Sequence, residues 1–192
     1  MINRKIILGS KSPRRKYLLE QGNFQVEVRP FDVEEIYPSD LDPYKVPEFL
    51  AELKIAPVQE ILGDNDIALT ADTVVILNNE ILGKPKNREQ AIDYIKRMSG
   101  CSHDVITGVC IQDMNKRISF SVKSIVHFAE FTMEEIKYYI DNYNPYDKAG
   151  AYGIQDWIGW TKIKSIEGSY SNIMGLPMQE VYEAMLRLST NS

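Results

Sequence analysis

Apolar residues arrive in short runs that switch between a strand-like period of two and a helix-like period of about 3.6. The opening Lys5-Ile6-Ile7-Leu8-Gly9 reads as a short buried strand. Ser12 followed by Pro13 then predicts a helix N-cap with proline at the first helical position, and Gly22 is a natural stop. Phe24 to Val28 alternates as a second strand. A polar, proline-containing loop from Pro30 to Pro43 leads to a helical pattern carried by Phe49, Leu50, Leu53 and Ile61, which Pro57 should kink or end. Ile67 to Leu77 is rich in β-formers, and Asn78-Asn79 before Glu80-Ile81-Leu82 predicts a hairpin. Asn87 with Gln90 three residues later caps a helix running to Ser99 and closed by Gly100. Two long β-rich stretches follow, His103 to Gln112 and Ile118 to Phe131, joined by the turn-like 113–116 and read as antiparallel. Thr132 with Glu135 forms a capping box for a helix ending near Asn142, ahead of a loop from Asn144 to Gly150. A strand from Trp160 to Ile166 and a helix from Pro177 to Leu188 close the pattern.

Helices and strands alternate without internal repeat, which predicts an α/β protein with a mixed sheet rather than a solenoid or an all-β sandwich. The 192 residues, 44% of them hydrophobic, support one sizeable core, so a single domain over 1–192, with room for two lobes, is expected. A net charge of -5 argues against bulk binding to nucleic acid or anionic membrane. Cys101 and Cys110 have no metal-ligand spacing and form no framework, which points to a reducing compartment. The apolar run Ile6-Ile7-Leu8 is too short for a signal-peptide core, and no stretch is long enough to span a membrane. A cytoplasmic protein is expected.

Ser10-Lys11-Ser12-Pro13-Arg14-Arg15-Lys16 lies between a strand and a helix start. Such a turn aims free backbone N–H groups and a positive dipole at one point, and hydroxyls and guanidinium groups beside it suit phosphate oxygens. The segment lacks the glycine spacing of a Walker A loop, and it equally suits an ordinary capped helix with solvated arginines. Asp72 interrupts an apolar β run, where an ionised carboxylate is costly unless paired or metal-bound. It would serve as a cation ligand or as a proton acceptor from water. Glu34-Glu35 follows the second strand, where acids help hold magnesium but are ordinarily just solvated. Lys54 sits on a helix near Glu48 and Glu52, so a surface position is the default. Lys84, between Gly83 and Pro85, is restrained enough to reach a phosphate. His103 and His127 read as hydrogen-bonded structural histidines, and Trp157 and Trp160 as packing residues. The loop Ala149 to Gln155 has the glycines to pass close to a ligand and offer Gln155 to a base edge, or is simply a long turn. Gly168 to Asn172 is another strand-to-helix connection.

Taken in order, five blocks resemble the Maf family of nucleotide pyrophosphatases over nearly the whole chain. They are Ser10 to Arg15; Ala71 to Val75 with Leu82 to Pro85; Ser99-Gly100 with His103 and Thr107-Gly108-Val109; Asp147 to Gln155; and Gly168 to Pro177. The resemblance implies an elongated mixed β-sheet flanked by helices, related to the inosine-triphosphate pyrophosphatase fold, with an active-site cleft between two lobes and a homodimeric assembly. It also implies roles. Asp72 matches the family's proton acceptor, Lys54 and Lys84 its catalytic lysines, Glu35 its loop glutamate, and Arg14 and Arg15 its phosphate-contacting arginines. Ser10 and Ser12 fall in the same substrate-binding block, and Asp72 with Glu35 would hold a magnesium or manganese ion. In the subgroup acting on dTTP and UTP, a threonine follows the catalytic aspartate and a Gly-Ile-Gln stretch lies in the late loop; here these are Thr73 and Gln155. The subgroup acting on 7-methylguanosine triphosphate differs at both places. Asp156 departs from the family, which usually has glycine after the glutamine.

The expected reaction is hydrolysis of pyrimidine nucleoside triphosphates, namely dTTP, UTP and by extension dUTP and modified pyrimidines, between the α and β phosphates. The products are nucleoside monophosphate and pyrophosphate. A nucleotide-binding regulator of septum formation or division acting through a partner is the alternative. A nucleic-acid module built on Lys11, Arg14, Arg15 and Lys16 is disfavoured by the overall acidity and the lack of interleaved aromatics.

Overall fold

The computed structural model of the protein describes residues 4–189. Its strands form a mixed sheet in the order β2-β1-β3-β5-β6-β7, with β4 paired to β3. The chain divides into two compact units, one of 1–72, 107–122 and 175–192, the other of 73–106 and 123–174.

In the first unit, β1 (Ile6–Leu8) pairs in parallel with both β2 (Val26–Val28) and β3 (Ile67–Leu77). All three β1 side chains are buried, as expected for a parallel strand covered on both faces. Helix α1 (Pro13–Gln21) follows β1, and α2 (Val46–Gln59) presents Leu50, Ala51, Ile55 and Val58 to the core. Ile7, Ala51, Ile55, Val58, Ala68 and Cys110 form one apolar cluster. Each fully buried aliphatic side chain contributes roughly 1.5–3 kcal/mol. At the carboxyl end, α7 (Met178–Ser189) sets Tyr182 against Phe24.

In the second unit, β4 (Glu80–Leu82) returns on β3 as an antiparallel hairpin. Asn78 and Asn79 both take positive φ there, 50° and 66°, the conformation a two-residue hairpin turn requires. Helix α3 (Arg88–Met98) is capped by Asn87, which accepts from the Gln90 N–H. Helix α4 (Met133–Tyr143) carries the full Thr132/Glu135 capping box. These helices pack on residues of β5 (Ser102–Gln112) and β6 (Arg117–Phe128) in a cluster that includes Leu82, Ile95, Val105, Phe128, Tyr139 and Tyr152. Hydrogen bonds from Asp113 N–H to Lys116 O and from Phe128 N–H to Cys101 O mark β5 and β6 as antiparallel. The remaining elements are two short 3₁₀ helices, Pro145–Asp147 and Ala149–Ala151, with α5 (Trp157–Lys162), β7 (Ile163–Glu167) and α6 (Tyr170–Met174).

Three local expectations are corrected. Trp160 does not begin a strand: residues 157–162 are helical, because Gly159 lets this turn press against the Ile154 carbonyl, which a Cβ would meet at 1.7 Å. Helix α2 starts before Phe49 and passes through Pro57 to Gln59, so Ile61 lies outside it and is exposed. Ser12 stands at the N-cap of α1, yet its side chain makes no capping bond. Both histidines are hydrogen-bonded, as read from the sequence. His127 bridges Ser102 and Glu167, while buried His103 meets the Tyr152 hydroxyl at 2.7 Å.

Burial drives the His103 pKa from 6.5 down to about 3. The folded protein therefore keeps this ring neutral where the unfolded chain protonates it, and the associated stability is complete above pH 6.5 and is lost as pH falls towards 3. Urea unfolding should show a loss of about 2 kcal/mol between pH values of about 7.5 and 5 from this group alone. In His103→Gln, which keeps a partner for Tyr152 but does not titrate, that part of the pH slope should vanish.

Candidate active site

Strand β3 is buried along its length except at Asp72 and Thr73, which are half-buried. In the first unit, Asp72 is not left as a lone acid in an apolar strand. Lys54 Nζ lies 2.6 Å from Asp72 Oδ1 and 2.7 Å from Glu35 Oε1. The Lys54 and Asp72 side chains are only 14% and 15% exposed, against 50% for Glu35. One ammonium thus holds two carboxylates, the inner one largely withdrawn from water.

The position of Lys54 is set by how α2 lies on the unit. Thr70 Oγ1 donates to the Ala51 carbonyl at 2.6 Å, tying the helix to β3 two residues before Asp72. Ser121 Oγ donates to Glu48 Oε2 at 2.9 Å. A Cβ on Gly108 would fall 2.2 Å from the backbone of Pro47 and Glu48, so the start of α2 passes directly over that glycine. Together these contacts hold Lys54 over the strand.

The strand-to-helix turn forms a second group. Ser10 Oγ accepts from the Ser12 N–H at 3.3 Å and from Arg15 Nη1 at 3.0 Å, while Arg15 Nε donates to the Gly175 carbonyl at 2.8 Å. Arg15 is thereby locked to the turn. Burial lowers its pKa, opposed by the negative charges of Asp72 and Glu35 and reinforced by the neighbouring Arg14, which leaves a fixed guanidinium charge beside the acids. Arg14 is half-buried on α1, and Lys11 pairs with Asp32.

Thr73, Lys84 and Gln155 belong to the second unit. Lys84 is exposed, in a connection held where Gly150 N–H donates to the Gly83 carbonyl. Gln155 precedes α5; its Nε2 donates to Asp156 Oδ1 at 3.2 Å, and its buried Oε1 has no hydrogen-bond partner among the described residues.

Among the described residues no group of three or more His, Cys, Asp or Glu side chains forms a metal cage. Asp72 and Glu35 nevertheless fit magnesium or manganese. Both are hard oxygen donors converging on one cationic atom, and magnesium is commonly bound by one or two carboxylates with substrate phosphates completing the shell.

Sequence reasoning from the residues alone placed Lys54 on the surface. The contrary signal was available: Leu50, Lys54 and Val58 follow at intervals of four, so the lysine lies in the stripe whose other members are buried. Its acidic neighbours Glu48 and Glu52 masked that register.

The family model for Maf-like proteins matches residues 5–188, and the chain belongs to that family. It is similar to proteins named dTTP/UTP pyrophosphatase from several bacteria. The one from Porphyromonas gingivalis is 47% identical over 184 residues, covering 94% of this chain and 92% of that protein. Those from Flavobacterium johnsoniae and Bacteroides thetaiotaomicron are 47% and 45% identical, covering 96% and 95% of this chain and 95% of each relative. Among solved structures, the Staphylococcus aureus Ham1 protein aligns with a TM-score of 0.47 at 17% identity, over 66% of this chain and 72% of that one.

Removing the shared cation should expose the cost of the buried acid. Lys54→Met is expected to destabilise the protein by about 3 kcal/mol in urea unfolding, because a charge is left unpaired. Adding Asp72→Asn to that variant should restore about half of the loss or more, and the double-mutant cycle reads the coupling.

Proposed function

We propose that the protein hydrolyses pyrimidine nucleoside triphosphates, dTTP and UTP foremost, between the α and β phosphates. The observation that carries this reading is the Asp72–Lys54–Glu35 centre beside the anchored Ser10–Arg15 turn in a chain of the Maf-like family. Its support is physical and comparative. The turn supplies fixed positive charge and backbone donors suited to phosphate oxygens, and the relatives named dTTP/UTP pyrophosphatase match nearly end to end.

In the mechanism, Arg14, Arg15, Lys54 and Lys84 bind and neutralise the triphosphate, with Ser10 and Ser12 contributing hydroxyls. Positioning and charge neutralisation supply most of the catalysis. Asp72 orients the attacking water and takes its proton. The water oxygen bonds to the α-phosphorus, the bond from that phosphorus to the bridging oxygen breaks, and pyrophosphate leaves with the electron pair. Glu35 and Asp72 would hold the divalent ion, which when bound acidifies water and offsets phosphate charge. Lys54, paired to both acids, holds them in register. Thr73 and Gln155 select the base by hydrogen bonding, since a buried polar group left unpaired penalises the wrong base.

The proposal includes a homodimer, supported by the family resemblance, and a cytoplasmic setting, supported by the two free cysteines. No described helix is long and apolar enough to cross a membrane. The relatives named above are called enzymes, so the partner-dependent regulator gains no support from them.

The test is product analysis of purified protein incubated with UTP or dTTP and magnesium or manganese. Nucleoside monophosphate and pyrophosphate in equal amounts are expected. Asp72→Asn should remain folded and lower kcat by roughly 10²–10⁴-fold. Near-normal turnover in that variant would remove Asp72 from the role given to it.

A further inference from the structure

Asp156 opens helix α5 at its N-cap, the position where an aspartate ordinarily accepts from the N–H groups of the first turn. It makes no such bond. Its two carboxylate oxygens are turned elsewhere: Oδ2 accepts from the Tyr139 hydroxyl at 2.8 Å, and Oδ1 accepts from Gln155 Nε2 at 3.2 Å. Lys148 Nζ, only 11% exposed and paired with Asp147 at 2.8 Å, also stands 3.9 Å from Oδ2.

The direction of every bond in this chain is fixed by chemistry. The Gly153 N–H can only donate, and it donates to the Tyr139 oxygen at 3.0 Å. Tyr139 stays a neutral hydroxyl, since burial raises its pKa with the Asp156 charge adding to the effect, and its proton goes to Asp156. An ionised carboxylate has no proton to give, so it can hold the Gln155 amide only by the NH2 end. The carbonyl end is therefore the one left over. Gln155 Oε1 is buried and has no partner among the described residues, an arrangement that costs free energy until a donor arrives; because the atom is closed to solvent, a donor on a ligand reaches it only as the groups over it move aside.

Gly153 shows that space as well as charge maintains the arrangement. A Cβ there would lie 2.6 Å from Asp156 Oδ2 and 2.7 Å from Gln155 Nε2. The pair thus covers Gly153, and a side chain at that position would push the two groups apart.

We propose that Asp156 is a specificity-determining positioning residue. It locks the Gln155 amide so that Oε1 presents a lone acceptor to the base, and this acceptor receives the N3–H of a uracil or thymine ring. The inference rests on the reading that Gln155 contacts the base. Given that reading, the donor follows: in a uridine or thymidine nucleotide N1 carries the sugar and C2 and C4 carry carbonyls, so N3–H is the only N–H on the base. Cytosine puts a lone pair at N3 and would face Oε1 acceptor to acceptor. With Asp156 absent, the amide is able to turn over and donate to that lone pair, and the discrimination is lost. The residue that departs from the family's usual glycine thus narrows the choice of base.

The test measures kcat and KM for UTP and CTP with magnesium in the native protein and in Asp156→Gly, Gly153→Ala, Gln155→Ala and the Gln155→Ala/Asp156→Gly pair, with thermal unfolding as the check on folding. The native protein should favour UTP over CTP by kcat/KM. Asp156→Gly and Gly153→Ala should each reduce that ratio about tenfold or more, through KM rather than kcat, and Asp156→Gly should add nothing once Gln155 is gone. Gly153→Ala displaces the Asp156 carboxylate and the Gln155 amide while keeping both, so it reports on the lock even where loss of the carboxylate harms folding. A native-like ratio in Gln155→Ala would overturn the base-contact reading itself. Loss of the ratio in Gln155→Ala with a native ratio in folded Asp156→Gly or Gly153→Ala would overturn the lock and leave the base contact standing. Equal native use of UTP and CTP would also overturn the lock.

Discussion

Two carboxylates and one ammonium, meeting at Lys54 Nζ, are the constraint around which the first unit is arranged. An aspartate in a strand otherwise buried along its length is expensive, and several kcal/mol are at stake if it ionises without a partner. Lys54 meets that cost only because α2 is pinned where its ammonium reaches the strand. The Thr70 hydroxyl on the Ala51 carbonyl and the helix start over Gly108 fix that placement. A one-residue turn of the helix would rotate Lys54 by about 100° off its stripe. The apolar stripe of Leu50, Ile55 and Val58 prevents this, so core packing and charge pairing demand the same register.

The same economy governs the turn before α1. Arg15 is held at two points by the protein's own groups, Ser10 Oγ and the Gly175 carbonyl. A guanidinium fixed in this way needs little reorganisation to meet a phosphate, which is the physical content of a preorganised anion site. In the second unit, preorganisation takes another form. A directed chain of donors from Gly153 through Tyr139 to Asp156 determines which end of one amide is left over.

Much of the architecture was legible in the chain because local signals agreed with the global fold. The Asn78-Asn79 hairpin, the Asn87 cap and the Thr132/Glu135 box all stand where the sequence puts them. Asp72 was legible as the polar break in an apolar run. What was hidden depended on partners distant in sequence. Lys54 reaches across 18 positions to Asp72, and no window around either residue contains the other. Trp160 was misread because its β-forming neighbours favoured a strand, whereas Gly159 permits a close turn whose need is visible only in three dimensions. Tyr139 and Asp156, 17 positions apart, were likewise legible only as a tyrosine on an apolar helix face and an acid in place of a glycine.

The proposed reaction is one chemical event, attack of water on the α-phosphorus beside Asp72. Hydrolysis of UTP in water enriched in oxygen-18, with products read by mass spectrometry, tests that event most directly. One labelled oxygen is expected in the uridine monophosphate and none in the pyrophosphate. Label in the pyrophosphate, or in released inorganic phosphate, would place the attack at another phosphorus and contradict it.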